Sequence, residues 1–142
     1  MNPRDPQVGD VLEPRTLAPI SRTDVVVYQG ASGDFQPIHH DEAFAREAGY
    51  EAPLVVGMLP AGMLTAWAAG LLGPENVRQT RVRWSAQVWP GDVLTCQGEV
   101  TERRDEGDQT TVDLTLRCVK ADESVAVSAW MTFVLPDSPC ST

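Results

Sequence analysis

Basic residues are scarce in this chain: eleven Lys and Arg stand against twenty Asp and Glu, a formal net charge of −9 over 142 residues. Phosphate backbones and anionic lipid surfaces are held through Lys and Arg, so neither nucleic acid nor a membrane is an expected partner. Long apolar runs are missing as well. The longest, Leu59 to Leu72, is too short to cross a bilayer. Cysteine is represented only by Cys96, Cys118 and Cys140, an odd count without metal-ligand spacing. The first two fall on apolar faces of expected strands, where a free thiol acts as a small hydrophobe. No basic-then-apolar leader opens the sequence, and a reducing, cytoplasmic setting is expected. The length suits one domain over residues 1–142, flexible at 1–9, with no room for a separate cofactor domain.

Histidine is nearly absent too, and both copies, His39 and His40, sit in the stretch Ser32-Gly33-Asp34-Phe35-Gln36-Pro37-Ile38-His39-His40-Asp41. Any chemistry that needs an imidazole near neutral pH has to be built there. Pro37 biases Gln36 toward extended backbone, so the segment reads as a short structured loop between two helices. A carboxylate, Asp34, and an imidazole, His39, five residues apart in such a loop can face one cleft. Loop aspartates and histidines also serve ordinary capping and turn chemistry, and spacing alone does not separate the two readings. In extended chain His40 points the opposite way from His39, toward solvent or a partner. Neighbouring side chains diverge, and no further ligand cluster lies nearby, so no metal site is expected from His39, His40 and Asp41.

The flanking sequence supplies the frame. Asp10 to Ile20 alternates loosely around Pro14 and Pro19, as a short edge strand does. Ser21 and Asp24 form a capping box for a helix from Thr23 to Ser32, stopped at Gly30 or Gly33, although three consecutive valines favour strand. A second helix is expected with Asp41 as N-cap, burying Phe44, Ala45 and Ala48 and ending at Gly49. After a loop from Tyr50 to Val56, Pro60 opens a helix to Leu72 that is apolar on every side and is expected to be wrapped by the domain. Four strands follow at Gln79–Trp89, Val93–Thr101, Gln109–Lys120 and Ser124–Leu135, with Pro90-Gly91 turning the chain between the first and second and Asp105–Asp108 between the second and third. Val82, Trp84, Ala86 and Val88 are expected on one face of the first. Read as an antiparallel meander, these strands and the apolar helix make an α+β domain with a sheet curled around a rod. Gly-Asp-Val-Leu occurs at Gly9 and at Gly91, without longer similarity around it, and is read as chance.

The run GASGDFQPIHHDEAFAREAG, followed by APLVVGMLPAGM, resembles the MaoC-like family of (R)-specific enoyl-thioester hydratases and 3-hydroxyacyl-thioester dehydratases. Asp34 and His39 match the Asp and His of that family's GDxNPIHxD motif. The resemblance implies a hotdog fold and pairing of two domains edge to edge, as a homodimer or a hotdog heterodimer, with active sites near the interface. It also implies a CoA- or carrier-protein-linked acyl substrate. Water activation and proton transfer fall to His39 and Asp34 together, and no metal or organic cofactor is called for. Backbone N–H groups at the start of the apolar helix, at Gly57 and Met58, suit an oxyanion hole. Gln36 and Pro37 shape the loop, and Thr65 stands where the family carries a hydroxyl residue. Thr65 equally suits a bond back to the carbonyl one turn earlier. Three positions depart from the pattern: Gln36 replaces Asn, Val56 replaces the His before Gly-Met, and Thr65 replaces Ser. Arg78, Arg81, Arg83, Arg103 and Arg104 are candidates to meet an anionic carrier or are solvated strand faces. Met58, Met63, Trp67 and Trp84 line an acyl tunnel or simply pack the core. The other functional readings are a non-catalytic hotdog subunit completing a partner's site and a hotdog thioesterase.

Overall fold

The structure is a computed structural model and describes residues 1–107 and 109–136. Cys140 and the Asp108 end of the expected turn lie outside the described residues. The elements are β1 (Arg15–Thr16), α1 (Arg22–Ser32), a 3-10 turn (Pro37–His39), α2 (Glu42–Glu47), α3 (Met58–Leu72), β2 (Val77–Trp84), β3 (Leu94–Glu106), β4 (Gln109–Lys120) and β5 (Val125–Pro136). The strands form one antiparallel sheet in the order β1-β3-β4-β5-β2. This is the α+β hotdog arrangement, a curved antiparallel sheet against a central apolar helix.

Alternation along β3, β4 and β5 decides which face carries the core. Leu94, Cys96 and Val100, then Val112, Leu114, Leu116 and Cys118, then Val127, Ala129, Met131 and Phe133 are all buried. They meet Leu64, Trp67, Ala68 and Leu72 of α3 in one hydrophobic cluster. Cys96 and Cys118 are opposed across β3 and β4, fully buried, and both free thiols.

Several expectations change. The meander holds for β3, β4 and β5 only, because β2 pairs with β5 and takes the far edge. Strand β2 also ends at Trp84 and not at Trp89. Ser85 and Ala86 both donate to the Ala126 carbonyl, which kinks the chain off the edge, and Val88 is buried beyond the kink. Pro90-Gly91 therefore makes no hairpin; the Gly91 N–H bonds to Ile20 O at 2.7 Å and docks the β2–β3 connection on the segment before α1. Strand β3 runs on to Glu106, which narrows the following turn.

Helix α3 starts two residues ahead of Pro60, with Gly57 as N-cap. Pro60 is tolerated there because the first four N–H groups of a helix have no intrahelical acceptor. Nor is α3 wrapped on every side: Met58, Ala66 and Gly70, on one face by fourfold spacing, are exposed. One sheet covers only one side of a rod. Helix α2 spans six residues, less than two turns, and buries Ala45 alone; Phe44 is 41% exposed and Ala48 is exposed. The first nine residues lie along β3, where the Asp5 carboxylate meets Arg103 at 2.6 Å, Pro6 is buried and the Gly9 N–H bonds to Val100 O.

Leu64 is fully buried in the middle of α3. Leu64→Ala is expected to cost about 2–5 kcal/mol, because the surrounding strands cannot collapse into the space. Urea unfolding should show a lower midpoint at unchanged slope.

Candidate active site

The loop that holds the two histidines is a chain of caps. Helix α1 opens on the expected capping box, with the Ser21 Oγ accepting from Asp24 N–H at 3.1 Å and Asp24 Oδ2 accepting from Ser21 N–H at 2.7 Å. The Ser21 hydroxyl, which donates to Asp24 Oδ2 at 2.7 Å, and then the Ser21 N–H hold the Asp24 carboxyl below its ordinary pKa. The helix ends at Gly33, whose φ of +74° is the left-handed conformation that glycine adopts freely. Gln36 follows in the extended conformation that a residue before proline takes, and Pro37 opens the 3-10 turn. Asp41 then caps α2, its Oδ1 accepting from the N–H groups of Ala43 and Phe44.

His39 closes that 3-10 turn and is half-buried. Its Nδ1 lies 3.0 Å from Leu54 O, and the Leu54 N–H returns a bond to Ile38 O at 3.2 Å. A carbonyl only accepts, so Nδ1 carries the hydrogen and the lone pair of the neutral ring is on Nε2. The ring lines a cavity of about 220 Å³ together with Leu54, Val55, Gly57, Pro60, Trp84 and Val88. The cavity is mostly apolar, and it sits where α3 begins.

Gly57 presents that beginning. Its N–H and that of Met58 meet no acceptor among the described residues, and they lie at the positive end of the α3 dipole. The indole N–H of Trp84 donates to Gly57 O at 2.8 Å. A Cβ at Gly57 would lie 3.3 Å from the Trp84 Nε1, a tight contact that the glycine avoids. Trp84 is thus half-exposed and engaged at the cavity, where core packing had been one reading of it.

Other expected residues are placed differently. The Asp34 side chain is exposed and outside the cavity wall; its Oδ1 accepts from the Gln36 N–H at 3.3 Å, and no hydrogen bond joins it to His39 among the described residues. Met58 is 49% exposed. The Thr65 hydroxyl donates to Ala61 O at 3.0 Å, one turn back, and does not reach the cavity. Trp67 packs in the core, with Met63 half-buried against it. Arg103 is paired with Asp5 and Asp105, and Arg104 with Glu102 and Asp113, so both are already neutralised. Burial pushes the Asp113 carboxyl up, but Arg104 and the Thr132 hydroxyl outweigh it and hold its pKa below the ordinary value. Among the described residues no cluster of three or more His, Cys, Asp or Glu could hold a metal ion.

His40, just past the 3-10 turn, is exposed as expected, and it also reaches α1, its Nδ1 3.2 Å from the Gln29 Oε1. Gln29 was not singled out from the sequence. It is the buried polar side chain of the described core, 3% exposed, and its Nε2 donates to Asp34 O at 2.8 Å and to Gln36 O at 3.4 Å. The available signal was its place four residues after Val25, on the buried face of α1.

The family described as MaoC like domain matches residues 5–122. The chain belongs to the MaoC-like family. Among MaoC-like relatives, a mitochondrial 3-hydroxyacyl-[acyl-carrier-protein] dehydratase of Arabidopsis thaliana is 31% identical over 92% of this chain and 78% of its own length. An (R)-specific enoyl-CoA hydratase of Aeromonas caviae is 31% identical over 80% of this chain and 84% of its own. A solved (R)-hydratase from A. caviae involved in PHA biosynthesis superposes with a TM-score of 0.75 at 27% identity, covering 92% of this chain and 97% of that one. These MaoC-like relatives carry hydratase and dehydratase names, which makes the enzyme class of the group hydro-lyase.

In the neutral ring of His39 the hydrogen is expected on Nδ1. Nitrogen NMR of the labelled protein above the imidazole titration should show a pyrrole-like Nδ1 and a pyridine-like Nε2; the reverse pattern contradicts the Leu54 contact.

Proposed function

We propose that the chain hydrates 2-enoyl thioesters to (R)-3-hydroxyacyl thioesters, or runs the reverse dehydration, on an acyl group carried by CoA or acyl carrier protein. The observation that carries this reading is the free Nε2 of His39 in one apolar cavity with the unpaired amide end of α3. In hydration, Nε2 takes a proton from water as the water oxygen attacks the β carbon, and the imidazolium then gives a proton to the α carbon, which returns the ring to its neutral form. Negative charge gathers on the thioester oxygen between those events, and the N–H groups of Gly57 and Met58 are the donors that meet it. The general base work suits an imidazole, whose unperturbed pKa of about 6.5 lies near working pH.

Asp34 shares the proton work in this reading, its carboxylate turning to the cavity mouth when substrate or a second subunit covers the loop. Gln36 and Pro37 shape the loop beside it, and Thr65 lies further along α3 toward the acyl chain. A second copy would pair along the free edge of β2 and cover the exposed Met58, Ala66 and Gly70 face, giving a homodimer. The place of Asp34 outside the cavity of a lone chain favours one further reading, a heterodimer in which an unlike hotdog chain completes the site. The setting proposed is the cytoplasm. There Cys96 and Cys118 stay reduced, and the Cys96 neighbour, with burial, pushes the Cys118 thiol up and keeps it inert. No helix among the described residues is long and apolar enough to cross a membrane.

The test is hydration of crotonyl-CoA followed at the enoyl-thioester absorbance, with chiral analysis of the product. The wild-type chain is expected to turn over and give the (R) alcohol. His39→Ala and Asp34→Asn should each lower kcat by about 10²–10⁴-fold with the fold retained, the range for loss of a positioned acid or base. Wild-type rates in both variants would overturn the assignment; turnover only after mixing with a second hotdog chain would favour the heterodimer.

A further inference from the structure

The loop that carries Asp34 and His39 is fastened to the buried face of α1 by one side-chain amide. Gln29 projects from the third turn of α1 and is 3% exposed. Its Nε2 contacts two carbonyls, Asp34 O at 2.8 Å and Gln36 O at 3.4 Å, and its Oε1 faces the His40 Nδ1 at 3.2 Å. The orientation of the amide is dictated by chemistry: carbonyl oxygens only accept, so the nitrogen has to face them and the oxygen has to face His40. It follows that His40 donates from Nδ1. The amide thus spans the loop, reaching the peptide of Asp34 on one side of Pro37 and the ring next to His39 on the other.

We propose that Gln29 is a positioning residue for the reaction, setting the distance and direction between the Asp34 carboxylate and the His39 ring through the backbone of residues 34–40. This rests on the hydratase reading above. Three facts favour a role beyond filling the core. A buried amide costs free energy unless its hydrogen bonds are made, so an apolar residue is the ordinary occupant of that position. Every bond of this amide ends on the loop and none on the sheet or on α3. The loop has few other ties: Asp34 to Gln36 are exposed, and beyond its own turns the segment is held by the exchange between residues 38–39 and Leu54. His39 is thereby fixed from the Leu54 side, whereas Asp34, beyond its short-range bonds to Ser32 and Gln36, is tied to the buried face of α1 through Gln29. Loss of the amide would leave the imidazole in place and release the carboxylate.

That asymmetry gives the test. Gln29→Met keeps the length and burial of the side chain and removes both ends of the clamp. Gln29→Glu keeps the oxygen facing His40 and replaces the donor by an oxygen that repels the two carbonyls. Both variants, checked for fold by circular dichroism and thermal melting, are assayed on crotonyl-CoA beside wild type and His39→Ala, and amide hydrogen exchange is followed across residues 33–41. The expected result is a fall in kcat of about 10–100-fold in Gln29→Met with KM little changed, as for a reacting group displaced by about an ångström. Gln29→Glu should fall at least as far, and the Gln36 amide, which bonds to the Asp34 carboxylate, should exchange faster in both while α1 and the sheet keep their protection. A folded Gln29→Met with wild-type kcat and wild-type exchange overturns the proposal, and so does a loss that falls on KM alone. Wild type inactive on enoyl thioesters both alone and mixed with a second hotdog chain would overturn the hydratase reading, and the positioning role with it, before any variant is compared; failure of the proposal alone shows as an active wild type beside variants whose kcat is unimpaired.

Discussion

The bond from the His39 Nδ1–H to Leu54 O, answered by the Leu54 N–H on Ile38 O, couples two pieces of chain 15 residues apart in sequence. One is the 3-10 turn that follows α1; the other is the segment that runs into α3. Because a carbonyl cannot donate, this single contact sets the tautomer, the ring plane and the direction of the free lone pair together. It also brings the imidazole to the end of a helix whose first amides have no acceptor among the described residues. Most of the proposed chemistry rests on that juxtaposition: a base on one side of an apolar cavity and amide dipoles on the other, with few competing polar groups between.

The sheet supplies the rest of the geometry. Because β2 lies beside β5 and not beside β3, the chain leaving α3 crosses to the far edge, and Trp84 at the end of β2 stands next to the first turn of the same helix. Its indole N–H on Gly57 O ties the sheet edge to the helix start, and a side chain at Gly57 would press on the indole, which would have to give by a few tenths of an ångström. The kink at Ser85 and Ala86 then swings Val88 inward, where its carbonyl accepts from the Val55 N–H and closes the cavity floor. A strand carried straight on to Trp89 would have left no such wall.

Charge is distributed in a way that leaves the cavity alone. The arginines of β3 are spent on Asp5, Asp105, Glu102 and Asp113, on the outer face and the N-terminal segment. Each of these pairs is open to solvent at one partner or both, and such pairs contribute little to stability. Their effect is to neutralise Arg103 and Arg104, whereas Arg81 and Arg83 lie exposed on the edge strand β2.

What the sequence by itself determined was local and periodic. The Ser21–Asp24 capping box, the Asp41 cap, the turn that Pro37 opens, the inward faces of β3 to β5 and the apolar rod ahead of Gly73 all follow from residues within a few positions of one another. The GDxxPIH run identified the family from the same short range. What only the tertiary structure decided were contacts between residues far apart in sequence. The edge position of β2, the Trp84 bond to Gly57 across 27 residues and the His39 bond to Leu54 across 15 depend on chain reversals that no local pattern encodes. The exposed face of α3 is of the same kind, since an apolar helix reads as buried from every side until the extent of the covering sheet is known. Gln29 was hidden for a related reason: a glutamine on a helix says nothing of its partners, and here they are carbonyls of a loop whose shape is itself a product of the fold.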